Sequence, residues 1–213
     1  MTILQIVTFT ASSKYLAQPK NVMKEALDAL ESGEGCAGVF HGLQIEDGKT
    51  VYIFSLWESE EQYESFAGGA GHFSILAGIK TAAASYPKVH YLSTGPSAVE
   101  LIPAFSAPIT DFGLWTLKPD VSPKDAQLVQ GFEELKAGLD VTAGAHPPAL
   151  WATCQSSARN VVLVVGWDTV DAHLQAVKEG TELNATGQLL LKKANLVMGH
   201  VKLVKHKTDS EVD

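Results

Sequence analysis

One stretch, residues 51–73 (VYIFSLWESEEQYESFAGGAGHF), constrains this chain more than any other. An apolar run rich in β-branched and aromatic residues ends on Trp57. Glu58 and Ser59 follow, and a helix-compatible segment leads to His72-Phe73. Strand, cap and helix succeed one another without a spare residue. A second copy runs over 161–177 (VVLVVGWDTVDAHLQAV), with Trp167-Asp168-Thr169 in place of Trp57-Glu58-Ser59. In each copy a polar ring, Tyr63 or His173, follows the Trp by six positions. A repeat at this spacing divides the chain into two related units of about 100 residues.

The flanking segments fit the same plan twice. In the first half, 3–10 alternates as a strand, and Pro19 opens a helix whose stripe is Val22, Met23, Ala26, Leu27 and Leu30. Strands at 37–45 and 50–57 are joined through Asp47-Gly48, a step suited to a tight hairpin. Ser59 and Gln62 have capping-box spacing, Ala67–Gly71 reads as a flexible glycine-rich entrance loop, and a helix from about 72 to 85 precedes a strand at 88–92. Pro96, Pro103 and Pro108 mark 96–108 as a linker. In the second half, 111–118 is a strand and Ser122-Pro123 opens a helix. A hairpin of 150–155 with 160–167, helices after Thr169 and over 183–195, and a strand at 197–204 complete it. The expectation is α+β: two ferredoxin-like β-α-β-β-α-β units, 1–95 and 109–205, with a charged, fraying tail at 206–213. Each sheet has one face without helices, so the two pack sheet to sheet as an intrachain pseudo-dimeric α+β barrel.

Composition removes several classes of function. A net charge of −8 with a single arginine, Arg159, gives no basic surface for nucleic acid. No apolar run approaches the ~20 residues that span a bilayer, and no secretory leader pattern opens the chain. Two cysteines, Cys36 and Cys154, are too few for a disulfide framework and read as inert buried thiols in a cytoplasmic protein. Nucleotide, flavin and zinc motifs are absent, so no cofactor and no metal are expected.

The run Trp57, Glu58, Ser59, Glu60, Glu61, Tyr63, His72 and Phe73 resembles the signature of antibiotic-biosynthesis monooxygenase (ABM) domains, in the dimeric α+β barrel superfamily. The second half keeps Trp167 and Asp168, has His173 for the tyrosine and lacks the His-Phe pair, so it resembles a degenerate partner. The resemblance implies a cofactor-independent monooxygenase acting on a small aromatic or polyketide-derived molecule. Its site would lie between sheet and helices of the first half, with His72, Tyr63 and Trp57 catalytic and His41, His90, Phe66 and Phe73 around the substrate. A histidine can take a proton near neutral pH, and phenol and indole donors can hold the resulting oxyanion. The same residues serve a cyclase or isomerase without dioxygen, and a carrier or stress-response barrel needs only the apolar walls. Haem degradation is disfavoured by a first strand without asparagine. Some quinone-forming relatives carry an arginine near the site; Arg159, expected in the second hairpin turn, is the one candidate. Packing roles compete throughout: Trp57 as core, Tyr63 beside Phe66, His72 in solvent, and His41, His90 and His200 as structural strand residues, His200 standing where His90 stands in the first half. Assembly of two such pseudo-dimers into a homodimer stays open.

Overall fold

The computed structural model describes residues 1–207. Two compact units divide the described residues: Met1–Val99 with 204–207, and Glu100–Leu203. The first contains β1 (Thr2–Thr10), α1 (Ser13–Ala17), α2 (Pro19–Val22), α3 (Lys24–Glu31), β2 (Cys36–Leu43), β3 (Thr50–Trp57), α4 (Glu60–Ala67), α5 (Ala70–Ala82) and β4 (Lys88–Thr94). After α6 (Ala98–Ser106), the second contains β5 (Ile109–Leu117), α7 (Ala126–Asp140), β6 (Ala145–Cys154), β7 (Ser157–Trp167), α8 (Val170–Ala176), α9 (Glu182–Lys193) and β8 (Ala194–Val201). The short β9 (Val204–Lys205) returns to the first unit. The strand orders are β4-β1-β3-β2-β9 and β6-β7-β5-β8, antiparallel throughout. Two ferredoxin-like α+β units in tandem are thus present. Among the described residues no helix is long and apolar enough to cross a membrane.

Local chemistry explains most boundaries. Gly48 takes φ +60° at the first hairpin, and the Asp47 carboxylate accepts from the Lys49 and Thr50 amides at 2.7 and 2.8 Å. Ser59 caps α4 by accepting from the Gln62 amide at 3.2 Å, and its hydroxyl donates to Gln62 Oε1 at 3.0 Å. Thr169 caps α8 in the same way, through the Ala172 amide.

Several expectations are corrected. The helix from Pro19 breaks at Met23, whose backbone (φ −107°, ψ 1°) leaves the helical region. The extra helix α1 precedes it because Ser12 caps the Tyr15 amide. The glycine-rich break is confined to Gly68-Gly69, since α5 begins at Ala70. Gly71 lies inside that helix, where a Cβ would stand 2.7 Å from the Phe66 ring. Helix α7 starts at Ala126 rather than Ser122, because Asp125 accepts from the Leu128 amide at 2.8 Å. The proline-marked segment 96–108 is mostly the helix α6, in which Leu101, Ala104 and Phe105 form a fully buried i, i+3, i+4 stripe. Of the expected tail 206–213, His206 is fixed: its ring bonds Asp28 Oδ1 at 2.7 Å and its backbone donates to Val39. Residues 208–213 lie outside the described residues.

Each unit packs its helices on one sheet face. The first core joins Ile3, Val7, Phe9, Val51, Ile53 and Trp57 to Leu27, Leu30, Ile75 and Ile79. The second joins Trp115, Val161, Leu163, Val165 and Trp167 to Phe132, Leu135, Leu139 and Leu190. Alternation along each strand sends these residues to the helix side.

Candidate functional site

Strand register aligns the two units position by position. Ile3 pairs with Trp57, as Ile109 pairs with Trp167. Two residues on, Gln5 faces Ser55 and Tyr91, and Asp111 faces Val165 and His200. Next come Val7 against Gly113, then Phe9 against Trp115. Tyr91, not His90, therefore corresponds to His200. His90 pairs with Ile6 and points to the opposite sheet face.

In the first unit this set of positions closes on itself. The Trp57 indole N–H donates to Ser55 Oγ at 3.0 Å, and the Ser55 hydroxyl donates to Gln5 Oε1 at 3.0 Å. Gln5 Nε2 then donates to the Tyr63 hydroxyl at 3.3 Å. Tyr63 lies 5.9 Å from both Trp57 and Tyr91, and Phe66 lies 4.7 Å from Trp57, centroid to centroid. Burial, with Tyr91 behind it, raises the Tyr63 pKa. Of the expected site residues, the structure thus joins Trp57, Tyr63 and Phe66. His72 is half-buried in the first turn of α5, eleven residues before the C-cap Ala83, as Leu183 is before Ala194. Phe73 beside it is 71% exposed. His41 on β2 approaches His206, at 6.1 Å between centroids. His90 is buried, and its Nδ1 finds no hydrogen-bond partner among the described residues.

The second unit keeps the positions and changes the chemistry. His173 Nδ1 is 2.7 Å from His200 Nε2, and His173 Nε2 is 3.8 Å from Asp111 Oδ2. All three side chains are buried. Trp167 stacks on His173 at 5.1 Å, but Val165 stands where Ser55 would be, and the Trp167 N–H has no partner among the described residues. A cavity of about 180 Å³ adjoins the cluster, lined by Asp111, Gly113, Trp115, His173, Leu183 and Leu196 among others. Gly113 opens it: a Cβ there would stand 3.2 Å from Leu196 Cδ1 and 3.3 Å from Trp115 Nε1. Val7 fills the matching place in the first unit. The volume compares with the ~150 Å³ that encloses a benzene ring, so it suits a one- or two-ring aromatic.

Sequence reasoning placed this unit as the degenerate partner and left Asp111 unnoticed. The available signal was His173 at the tyrosine position together with an acid two residues into β5. Only the β5–β8 register brings Asp111 opposite His200.

Each of Asp111, His173 and His200 offers a ligand atom, and these lie within 4.8 Å of one another. Two nitrogens bound to one ion at ~2.1 Å would be roughly 3.0–3.4 Å apart. The 2.7 Å approach of the rings is hydrogen-bond distance instead. Arg159 lies at the start of β7 rather than in the turn, where its guanidinium donates to the Leu117 and Lys118 carbonyls. Burial holds both thiols up at about 11.

Burial, reinforced by a neighbouring histidine, lowers two rings to about 4: His41 beside His206, and His173 beside His200. Asp111 is beyond hydrogen-bond reach of His173 and does not reverse this. Burial, with Lys88 behind it, lowers His90 too. Unfolded histidine titrates near ~6.5, so below that pH the unfolded chain binds protons that the folded chain refuses. Stability is expected to be full above pH ~6.5 and to fall toward pH 4, by on the order of 2–3 kcal/mol for a ring such as His173. Urea midpoints at pH 7, 5.5 and 4.5 measure the slope, which should be shallower in His41→Asn. A flat profile would contradict buried neutral rings.

No family model matches the chain, and no curated protein matches it in sequence. Solved structures do. A candidate monooxygenase from Fusobacterium nucleatum subsp. nucleatum is 11% identical, with a TM-score of 0.72 over 97% of this chain and 98% of that one. An anthrone oxidase-like protein is 12% identical, with a TM-score of 0.67 over 99% and 94%. A candidate monooxygenase from Lactobacillus acidophilus is 11% identical, with a TM-score of 0.65 over 96% and 93%. At such identities the likeness is one of fold. The chain shares its tandem α+β fold with these structures over nearly its whole length.

Proposed function

We propose that the protein is a cofactor-independent monooxygenase-type enzyme whose second-unit cavity takes a small aromatic or polyketide-derived molecule. The observation carrying this reading is the buried Asp111–His173–His200 set opening on an apolar cavity. In the tautomer with His173 Nδ1–H donating to His200, the Nε2 lone pair is left toward Asp111. A proton taken from the substrate at that atom is held 3.8 Å from the Asp111 carboxylate, too far to lift the ring's low pKa, so the transfer runs uphill and is drawn forward as the substrate anion reacts with dioxygen. The substrate is left as an enolate or phenolate, electron-rich enough to reduce dioxygen. For an aryl CH₂ group the balance is CH₂ + O₂ → C=O + H₂O. One oxygen atom stays on carbon, and the other leaves with the two hydrogens. The names of the whole-chain structural neighbours, monooxygenase and anthrone oxidase-like, are compatible with such a reaction. Two free cysteines suit a reducing, cytoplasmic setting.

A second reading keeps the chemistry in the first unit, with Trp57, Tyr63 and His72 as catalytic residues and Phe66, Phe73 and His41 around the substrate; His90, on the opposite sheet face, falls outside that site. It is supported by the shared strand register and by His72 occupying the helix position of the cavity-lining Leu183.

Dioxygen uptake by chelator-treated protein, with anthrones, naphthols and phenols, tests both readings. Uptake lost in His173→Ala and kept in His72→Ala supports the first; the reverse supports the second. A rearranged substrate without uptake would replace oxygenation by cyclisation or isomerisation. Binding without any reaction would leave a carrier.

A further inference from the structure

Trp115 carries a donor that the described residues leave unused. The residue is 3% exposed, and its indole N–H has no hydrogen-bond partner among the described residues. A buried amide- or indole-type donor without a partner is uncommon, because its desolvation is uncompensated. Its position is specific. The ring lines the second-unit cavity, and its Nε1 lies 3.3 Å from where a Cβ on Gly113 would stand. The first unit has Phe9, with no donor, at the same register position, and Val7 in place of Gly113. Donor and space therefore occur together in one unit and are both missing from the other.

Asp111, Gly113 and Trp115 are alternate residues of β5 and share its helix-facing side. Gly113, over which the Trp115 Nε1 lies, is two residues or about 7 Å along the strand from Asp111. Asp111 and His173 thus form one polar wall of the cavity, Trp115 the other, and leucines close the space between them.

We infer that Trp115 is a specificity-determining residue whose indole N–H binds an acceptor oxygen of the ligand, at the end away from the acidic proton. The ligand class is an aromatic with an ionisable hydroxyl or CH at one end and a carbonyl or ether oxygen at the other. This inference rests on the second-unit cavity being the ligand site.

Two phenols of nearly equal shape test it: 4-hydroxyacetophenone, with a ketone oxygen, and 4-ethylphenol, without one. Affinities are measured for wild type and Trp115→Phe, and the preference for the ketone is compared between the two proteins, which cancels the difference in phenol acidity. The preference is expected to fall by roughly three- to tenfold in the variant, the worth of one neutral hydrogen bond. In wild type, the indole ¹H–¹⁵N signal assigned to Trp115 among the four tryptophans should move downfield with the ketone and not with 4-ethylphenol. That second readout stands even if the variant folds poorly. An unchanged preference, or an indole signal indifferent to the ketone, overturns the role of Trp115 and leaves the cavity reading intact. If folded wild type binds neither phenol, the cavity reading fails and takes this inference with it.

Discussion

Replacing His173 by alanine is expected to lower turnover by ~10²–10⁴ while leaving ligand affinity within a few-fold, since proton transfer rather than apolar contact is lost. His173 is the residue of the second unit that touches every part of the proposed chemistry. It bonds His200 at 2.7 Å, faces Asp111, stacks on Trp167 and lines the cavity. Removing it leaves the leucine walls and the Gly113 space in place, so the ligand keeps its apolar contacts. His200→Ala should lose less, because His173 would still present Nε2. Steady-state and single-turnover rates, each set against a binding isotherm, separate the two effects. A variant that loses binding and rate together would assign His173 to packing.

The largest expected loss of stability belongs to Trp57→Ala, about 3–5 kcal/mol. Trp57 is fully buried, and its ring is covered by Phe66 at 4.7 Å and by Tyr63 at 5.9 Å. Its underside rests on Gly33, where a Cβ would come within 2.7 Å of the ring. Alanine would leave a cavity, strand Ser55 and loosen the chain of hydrogen bonds to Gln5 and Tyr63. Trp57→Phe should cost less, since it refills most of the volume and gives up only the donor. Urea unfolding followed in the near-UV measures both. A loss below about 1 kcal/mol for alanine would mean that the core around Trp57 collapses to fill the gap.

How far the sequence could be read depended on whether each feature is local. Strand, Trp, cap and helix at 51–66 are encoded by neighbours in sequence, so Ser59–Gln62 capping and the Asp47-Gly48 hairpin were both legible. Helix α6 was hidden because proline is a strong breaker signal, although Leu101, Ala104 and Phe105 carry its stripe. The second-unit cluster was hidden for a different reason. Asp111, His173 and His200 are far apart in the chain: sheet register sets Asp111 opposite His200, and the packing of α8 brings His173 onto them. Gly113 and Val165 were equally silent, because what each does is defined by the side chain missing at that place: no Cβ in the cavity, no hydroxyl for Trp167.

The claim that the second-unit cavity is the ligand site is tested most directly by Gly113→Val, which gives this strand the residue its counterpart β1 already carries as Val7. Affinity for 1-naphthol, measured by titration on protein whose melting temperature matches wild type, is the quantity to follow. A drop of at least tenfold, about 1.4 kcal/mol, is expected as the valine methyls occupy the space beside Trp115 and Leu196. Unchanged affinity in a folded variant would contradict the assignment and return the search to Trp57, Tyr63 and His72.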